Sequence, residues 1–348
     1  MATFALAHMS CGGAWCWADV ARYLRAAQHQ VHAPDLDLRP GATPAAHAAQ
    51  LGEGDVVAGH SYGALPAHVA AARFRALVVI DGFAADDGDS AHGLRPQHAA
   101  QRRAQGETWL PEDPLPEMRP MPLSAMETPV AFEALPERRV FAHCVESDFA
   151  EQAARASERG FAVAEIEGGH LWPLEQPRAC AALLLAAAAP PPPRGERVVL
   201  RRWRPEDADA IAQASADEGI QRFNPVLAPF GRAGAERFLA ADPGTALRGE
   251  AFSFCCAHPG TDAVLGGAGV FHIDVAARVA EIGYWTAPWA RRRGVALEAV
   301  RLLASWAFAL LGLTRIELDI DDANEPSLRL ARRLGALAAD RRYALYPR

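Results

Sequence analysis

The chain has 348 residues, half of them hydrophobic, and a formal net charge of -7. This size and composition predict a packed globular protein of two domains, and the acidic balance argues against nucleic acid as the main partner. Every basic side chain is arginine, so a lysine Schiff base or a lysine general base is excluded.

The cysteines and the N-terminus give few signals. The six cysteines show neither zinc nor redox spacing, so no metal site is predicted. No signal peptide precedes Phe4, and no apolar run is long enough to span a bilayer. We therefore expect reduced thiols, a cytoplasmic location and no membrane partner.

The first half alternates apolar strands with helices. Residues 4–7 read as a buried strand, followed by a loop of small residues and a helix at 17–27. Further strands are predicted at 30–36, 56–60, 76–82, 139–144 and 161–166. This alternation is typical of the α/β class with a doubly wound parallel sheet.

Residues 56–64 organise this half of the chain. An apolar run ends in Gly-x-Ser-x-Gly and passes directly into an Ala-rich, helix-prone segment at 65–72. Such a strand, tight turn and helix hold the central serine in a strained conformation with its hydroxyl clear of the sheet. Glycine is required at Gly59 and Gly63 because side chains there would collide with neighbouring backbone. Ser61 is therefore the predicted nucleophile.

From Phe4 to about Leu185 the sequence resembles the α/β-hydrolase superfamily, in its small esterase and hydroxynitrile-lyase-like branch. The motifs that carry the resemblance are Gly12-Gly13-Ala14-Trp15-Cys16-Trp17, Gly59-His60-Ser61-Tyr62-Gly63, Asp81-Gly82-Phe83 and Gly169-His170. The resemblance implies cleavage of an ester or amide of a small, largely apolar acyl group, with no cofactor. The Pro-rich region 86–138 is expected to form a cap over the serine.

The same resemblance implies a triad in the order serine, acid, histidine. His170, after the last predicted strand of this half, stands where the family places its base. For the acid we favour Asp148, just past the strand that ends near 144. Asp81, at the end of the preceding strand, and Glu146 remain alternatives.

The loop at 8–15 resembles the family's oxyanion loop. Backbone N–H groups near Ser10 and at Tyr62 would stabilise the oxyanion. Met9 stands where the family usually has glycine, and His8 is interpreted as a structural residue that fixes the loop.

An alanine-rich tail runs into four consecutive prolines at 190–193. Such a run must leave a helix and favours an extended, semi-rigid spacer. We therefore predict a first domain at 1–187, a linker at 188–195 and a second domain at 196–348.

The second half has a different pattern. A strand at 197–203 and a helix at 208–216 precede three strands separated by turns, which predict an antiparallel meander. These three strands are 251–257, 263–273 and 279–286. A long helix then runs through Leu311, and a strand at 315–320 is followed by a last helix that ends at 334.

The long helix of this half opens with an Arg-x-x-Gly-x-Ala turn. Backbone N–H groups at a helix start are unpaired, and a glycine lets a bulky anion approach them, so this turn suits a pyrophosphate. The residues concerned are Arg291, Arg292, Arg293, Gly294, Val295 and Ala296.

From 197 to the end the sequence resembles the GNAT N-acetyltransferase superfamily, in its RimJ/RimL-like branch. The motifs are Glu281-Ile282-Gly283-Tyr284-Trp285, the turn at 291–296, Glu298-Ala299, Trp306-Ala307-Phe308 and Asn324-Glu325-Pro326-Ser327. The resemblance implies acetyl-CoA as donor, with its pantetheine along Trp285 and Thr286 and its pyrophosphate on the turn. It places Asn324 and Ser327 near the thioester and makes Glu281 a candidate base.

One departure from the family concerns the C-terminus. After the last predicted helix, only 342–346 are expected to contribute to the family's terminal strand pair. On this basis the acceptor pocket is expected to be incomplete, or completed by the other domain or by a second subunit in a homodimer.

The predicted fold class is therefore α/β, a doubly wound α/β-hydrolase domain followed by a mixed α+β GNAT domain. The predicted function is a bifunctional enzyme that hydrolyses small-molecule esters or amides and acetylates small-molecule amines. The alternative is a hydrolase, lyase or transacylase fused to a non-catalytic module that binds acyl-CoA or dimerises.

Overall fold

A computed structural model describes residues 1–224, 231–339 and 342–347. They fall into two units, Met1–Ala188 and Ala189–Arg348. Each unit is built on its own sheet. The predicted α/β architecture is confirmed, because the first unit has a parallel sheet with connecting helices and the second has a mixed sheet.

The first unit has a six-stranded, fully parallel sheet of order β2-β1-β3-β4-β7-β8. The strands of this sheet are β1 Thr3–Ala7, β2 Gln30–His32, β3 Gly54–His60, β4 Phe74–Ile80, β7 Arg138–Cys144 and β8 Ala162–Ile166. Two further strands, β5 Thr108–Trp109 and β6 Met121–Pro122, form a separate pair. The central strands β3 and β4 are almost wholly apolar and buried, as expected for a sheet covered on both faces. Residues that directly follow β3 and β4 therefore meet at the carboxyl edge of the sheet.

Nine α-helices connect these strands within Met1–Ala188. They are α1 Ala18–Ala26, α2 Pro44–Ala49, α3 Ala64–Ala70, α4 Ala91–Leu94, α5 Ala99–Arg103, α6 Leu123–Glu127, α7 Ala150–Glu158, α8 Trp172–Glu175 and α9 Pro177–Ala188. Strand β2 ends at His32, short of the predicted 30–36, because Pro34 has no N–H to donate to a ladder.

The segment between β4 and β7 covers the carboxyl edge of the sheet. It contains the short helices α4, α5 and α6 and the antiparallel pair β5–β6. Its apolar side chains Trp109, Met121 and Met126 are buried in the core of the first unit. This segment corresponds to the region predicted as a cap.

The second unit has a seven-stranded sheet of order β14-β15-β13-β12-β11-β10-β9. Its strands are β9 Val199–Arg201, β10 Phe252–Ala257, β11 Val264–Asp274, β12 Val279–Thr286, β13 Arg315–Asp319, β14 Leu337–Ala339 and β15 Arg342–Leu345. Its helices are α10 Ala208–Ser215, α11 Glu218–Phe223, α12 Arg232–Leu247, α13 Val295–Leu311 and α14 Glu325–Leu334. Strands β10, β11 and β12 form the predicted antiparallel meander.

The sheet continues to the C-terminus, contrary to the expected truncation. Gly335, with φ of 75°, ends α14 and leads the chain directly into β14. Strand β14 pairs with β15, and β15 pairs with β13. The expectation that only 342–346 were left for a terminal pair was wrong, because 337–339 supply its other strand.

Several site types find no support in the described residues. Within these ranges no helix combines the length and apolar character needed to cross a membrane. No cluster of three or more histidine, cysteine or acidic side chains there could hold a metal ion. All six cysteines are buried and unbridged, and burial raises the pKa of Cys11 and Cys255 to about 12.

Candidate active sites

A strained corner between β3 and α3 presents Ser61. Strand β3 ends at His60, and Ser61 has a φ of 56°, in the left-handed region that non-glycine residues rarely adopt. Helix α3 begins three residues later. Ser61 is largely buried, yet its side chain lines a cavity of about 490 Å³.

The two glycines of the motif let backbone segments touch. A Cβ atom on Gly59 would lie 2.2 Å from the carbonyl oxygen of Gly63, and one on Gly63 would lie 2.3 Å from that of Ala7. Both distances are far inside van der Waals contact, so any side chain at either position would force the corner apart. The structure therefore agrees with the inference from the motif that side chains at Gly59 and Gly63 would collide with neighbouring backbone.

His170 and Asp81 form a hydrogen-bonded pair beside this corner. The Nδ1 atom of His170 donates to Oδ2 of Asp81 over 2.6 Å. With Nδ1 carrying the proton, Nε2 is left as the basic atom of the ring. His170 lines the same cavity as Ser61, so the cavity wall holds a hydroxyl and an imidazole oriented by a carboxylate.

The Asp81 carboxylate is fully buried and bonded on both oxygens. Its Oδ1 accepts hydrogen bonds from the Ser147 hydroxyl at 2.6 Å and from the backbone N–H of Cys144 at 3.2 Å. Burial by itself opposes ionisation, but the hydrogen bonds from His170, Ser147 and Cys144 outweigh it and lower the pKa of Asp81. Asp81 is therefore held as a carboxylate beside the imidazole.

Asp148, the acid favoured from the sequence, also lines the cavity, but its carboxylate is bonded to a residue other than His170. Its carboxylate pairs with Arg95, and its side chain is 66% exposed. Glu146 is also exposed, and its backbone N–H donates to the carbonyl of Gly168. The preference for Asp148 is corrected by this geometry, because Asp81 directly follows β4 and is anchored at the sheet edge.

Two residues that contact His170 could not be identified from the sequence. His60 is buried, and its Nε2 donates to the backbone carbonyl of His170 over 2.7 Å. Burial lowers the pKa of His60 to about 3, so this ring stays neutral. The ring of Phe149 stacks on that of His170 at 5.2 Å with an interplanar angle of 1°. Phe149 lies next to Asp148 in the chain, but nothing in the sequence indicates the stacking.

The predicted oxyanion residues lie around the same cavity. Ser10 and Tyr62 both line it with Ser61. The loop that carries Ser10 is fixed by His8, whose Nδ1 donates to the carbonyl of Met9 at 2.8 Å while Nε2 accepts from the N–H of Leu36 at 3.1 Å. This arrangement agrees with the structural role expected for His8.

The second unit has its own backbone corner, at the start of α13. Arg292 has a φ of 62°, and Gly294 a φ of 79° at the N-cap position. Arg291 pairs with Asp217, with an N–O distance of 2.6 Å. Arg292 and Arg293 are exposed and form no ion pair within the described parts of the chain. This corner therefore presents two solvent-facing guanidinium groups beside a helix N-terminus.

Strand β12 has a free edge next to this corner. It pairs with β13 in parallel only at Val279, Ala280 and Glu281. Farther on, Trp285 and Thr286 pair with Gly267 and Gly266 of β11 on the other side. Among the described strands, no partner covers the β13-facing edge of these two residues. The Trp285 side chain is itself buried, stacked on Trp203 at 6.2 Å.

The sequence of the second unit matches known acetyltransferases. A family model described as an acetyltransferase (GNAT) domain matches residues 197–337. An uncharacterized N-acetyltransferase of Bacillus licheniformis, p20, is 32% identical over 135 residues, which cover 39% of this chain and 76% of that protein. The chain belongs to the GNAT acetyltransferase family.

Solved structures resemble each unit separately. RimJ of Mycobacterium smegmatis, in complex with CoA-disulfide, is 21% identical to this GNAT protein and covers 43% of it and 81% of its own chain, with a TM-score of 0.38. An extracellular α/β-hydrolase from a Paenibacillus species is 21% identical and covers 53% of this chain and 98% of its own, with a TM-score of 0.45.

Two of the predicted GNAT residues stabilise the start of α14. The side-chain oxygen of Asn324 accepts a hydrogen bond from the backbone N–H of Ser327 at 3.3 Å, which is an N-cap contact.

Tyr284 of β12 belongs to the GNAT motif in the sequence but was assigned no role there. Burial raises the pKa of its hydroxyl, and the Ser327 side chain partly offsets that rise.

Glu281, the candidate base of the GNAT domain, lies on β12 opposite Phe271 and next to β13. Its Oε2 lies 3.2 Å from Nδ1 of His272, an exposed ring on β11. The Glu281 side chain is 22% exposed, so it can still exchange protons with water. His272 is a further partner that the sequence did not indicate.

Proposed function

We propose that the protein is a bifunctional enzyme, with a serine hydrolase in the first unit and an acetyl-CoA-dependent N-acetyltransferase in the second. For the hydrolase, the observation that carries the proposal is the His170–Asp81 hydrogen bond on the wall of the cavity that Ser61 also lines. For the acetyltransferase, it is the family match over residues 197–337.

In the hydrolase, the Ser61 oxygen attacks the acyl carbon while Nε2 of His170 takes its proton. Asp81 stabilises the imidazolium through Nδ1. The N–H groups of Tyr62 and of the Ser10 loop stabilise the tetrahedral oxyanion. His170 then protonates the leaving group. It next removes a proton from the water that cleaves the acyl-enzyme, and Ser61 is regenerated.

In the acetyltransferase, the residues present fit an acyl-CoA. The exposed Arg292 and Arg293 beside the start of α13 suit a diphosphate, and the free edge of β12 at Trp285 and Thr286 suits an extended amide chain. Acetyl-CoA would supply the activated acetyl group. Glu281 accepts the proton of the amine substrate, directly or through water, and so makes the amine nucleophilic.

Hydrolysis is tested with p-nitrophenyl esters of short acids and the full-length protein. Ser61→Ala is expected to lower kcat by about a thousandfold or more and to leave acetyl transfer unchanged. Ser157→Ala, an exposed serine on α7, is the matched control and retains esterase activity. Wild-type esterase activity that survives in Ser61→Ala would refute the nucleophile.

Acetyl transfer is tested by following free thiol release from acetyl-CoA with a panel of small amines. Wild-type protein is expected to release thiol only when an acceptor amine is present. Glu281→Gln is expected to lower kcat by about a hundredfold with little change in acetyl-CoA affinity measured by calorimetry. If acetyl-CoA binds but no amine elicits thiol release, the second unit is a binding module and the transferase proposal fails.

A further inference from the structure

The cavity that contains Ser61 also holds an arginine without an acidic partner. Arg102, near the end of α5, lines the cavity. Its guanidinium lies over the ring of Trp109, with Cζ 4.3 Å from the ring centroid. The Nη1 atom is shielded from solvent and has no hydrogen-bond partner, and no carboxylate in the described ranges forms an ion pair with Arg102.

The cavity wall carries three further charged side chains, Arg95, Asp148 and Glu112. Arg95 pairs with Asp148 and lies over the ring of Phe149 at 4.5 Å. Glu112 accepts a hydrogen bond from Gln101 at 2.9 Å. Of the two arginines lining the cavity, Arg102 is therefore the one that forms no ion pair, and it feels the Asp148 charge only at longer range.

An unpaired, partly buried cation is costly to maintain. Burial lowers the pKa of Arg102, and the charge of Arg95 lowers it further, which means that the surroundings disfavour the charged form. A guanidinium nevertheless stays protonated, so it gains most from an anion that enters the cavity. A carboxylate fits best, because its two oxygens match the fork of N–H donors.

We propose that Arg102 binds a carboxylate of the substrate, separate from the acyl group that Ser61 attacks. The inference rests on the proposed hydrolase function and specifies its substrate class as esters or amides that carry a free carboxylate. The walls also include Phe83, Met118 and Met126, which suit a short carbon chain between the two groups. A cavity of about 490 Å³ is in the range that holds small ligands.

A binding experiment tests the subsite without requiring catalysis. Full-length Ser61→Ala protein is titrated by calorimetry with monomethyl glutarate and with its neutral counterpart, dimethyl glutarate. We expect the carboxylate to bind at least tenfold more tightly than the diester. Adding Arg102→Met is expected to remove this difference. Equal affinities of the two compounds for the Ser61→Ala protein would overturn the proposal.

The matched control is Arg103→Met in the same background. Arg103 is the next residue of α5, pairs with Glu127 and does not line the cavity. It is expected to keep the carboxylate preference, and its loss in this variant would refute a specific role for Arg102. If Arg102→Met does not fold, Arg102→Lys serves instead. It keeps the charge but not the fork, so it should retain only part of the preference.

A kinetic experiment separates the subsite from the nucleophile. The ratio of kcat/KM for mono-p-nitrophenyl glutarate to that for p-nitrophenyl butyrate is expected to fall about tenfold to a hundredfold in Arg102→Met. An esterase with no preference for the carboxylate would overturn the subsite alone. A protein that binds monomethyl glutarate preferentially but hydrolyses neither ester would overturn the hydrolase alone.

Discussion

The molecule contains two strained backbone corners that lie at opposite extremes of exposure. At the first, Ser61 is enclosed by backbone, with Gly59 and Gly63 packed against their neighbours at distances that admit no side chain. At the second, Arg292 and Gly294 adopt positive φ values at a surface where their neighbours Arg291 and Arg293 are exposed.

This contrast matches what the two proposed functions require of the corners. A nucleophile acts through one side-chain oxygen, which must be held in a fixed direction, so surrounding backbone restrains it. A diphosphate site acts through several backbone N–H groups, which must stay accessible to a large anion. Enclosure suits the hydroxyl, and exposure suits the amides.

Replacing the carboxylates separates the triad acid from its rivals. Asp81→Asn is expected to lower kcat for ester hydrolysis by about a thousandfold to ten-thousandfold, because an amide no longer fixes the His170 tautomer or stabilises the imidazolium. Asp148→Asn, the control, is expected to change it by less than about fivefold. Steady-state kinetics of both variants measure this. A larger loss in Asp148→Asn than in Asp81→Asn would refute the assignment from geometry.

A glycine-to-alanine substitution at each corner tests how tightly that corner is packed. Gly59→Ala is expected to destabilise the protein by about 3 kcal/mol or more, because its Cβ would overlap the Gly63 carbonyl. Gly294→Ala is expected to cost only about 1–2 kcal/mol for the left-handed φ, since its nearest neighbour is a flexible Arg197 side chain at 3.4 Å. Urea denaturation of the full chain gives both values. Similar losses would remove the contrast between the corners.

The hydrogen bond from Ser147 to Asp81 is expected to affect how the stability of the protein depends on pH. The hydroxyl stabilises the ionised carboxylate, so Ser147→Ala is expected to raise the pKa of Asp81. As pH falls, the variant protonates Asp81 at a higher pH than wild type, so the stability contributed by the ionised carboxylate is lost about one pH unit earlier. Ser147→Thr keeps the hydroxyl and should restore the profile. Urea denaturation at a series of acid pH values measures this, and an unchanged pH dependence of the free energy of unfolding in Ser147→Ala would contradict this role.

The smallest effect is expected at the exposed corner. Arg292→Gln and Arg293→Gln should each weaken CoA binding about twofold to fivefold, because solvent-exposed charges contribute little individually. The effect should shrink at high salt. Calorimetry with CoA measures it, and Arg301→Gln, an exposed residue farther along α13, is the control. A loss as large in Arg301→Gln would show that net charge, and not this corner, governs binding.

The two corners could be located from the sequence because each is formed by residues that are close together in the chain. Gly59, Ser61 and Gly63 lie within five residues, and Gly294 directly precedes its helix, so turn chemistry and helix start are visible in the pattern. The order of strands, helices and the antiparallel meander followed from apolar periodicity for the same reason.

The carboxylate proposed as the triad acid could not be identified in this way. Asp81 and His170 are 89 positions apart, and the choice between Asp81 and Asp148 depends on which strand end faces the histidine loop. The Ser147 contact and the unpaired Arg102 likewise arise from packing of distant segments. The terminal pair β14–β15 was missed because two short strands carry too few residues to show a period.

The hydrogen bond from His60 to the backbone of His170 links the proposed catalytic base to the residue that precedes Ser61, the proposed nucleophile. If the His170 loop moved outward, the buried Nε2 of His60 would lose its acceptor without gaining a water molecule. Such an opening costs free energy. Outward movement of the His170 loop is therefore expected to distort the corner between β3 and α3 that carries Ser61. The His60 hydrogen bond is thus expected to keep Ser61 and His170 at a fixed separation.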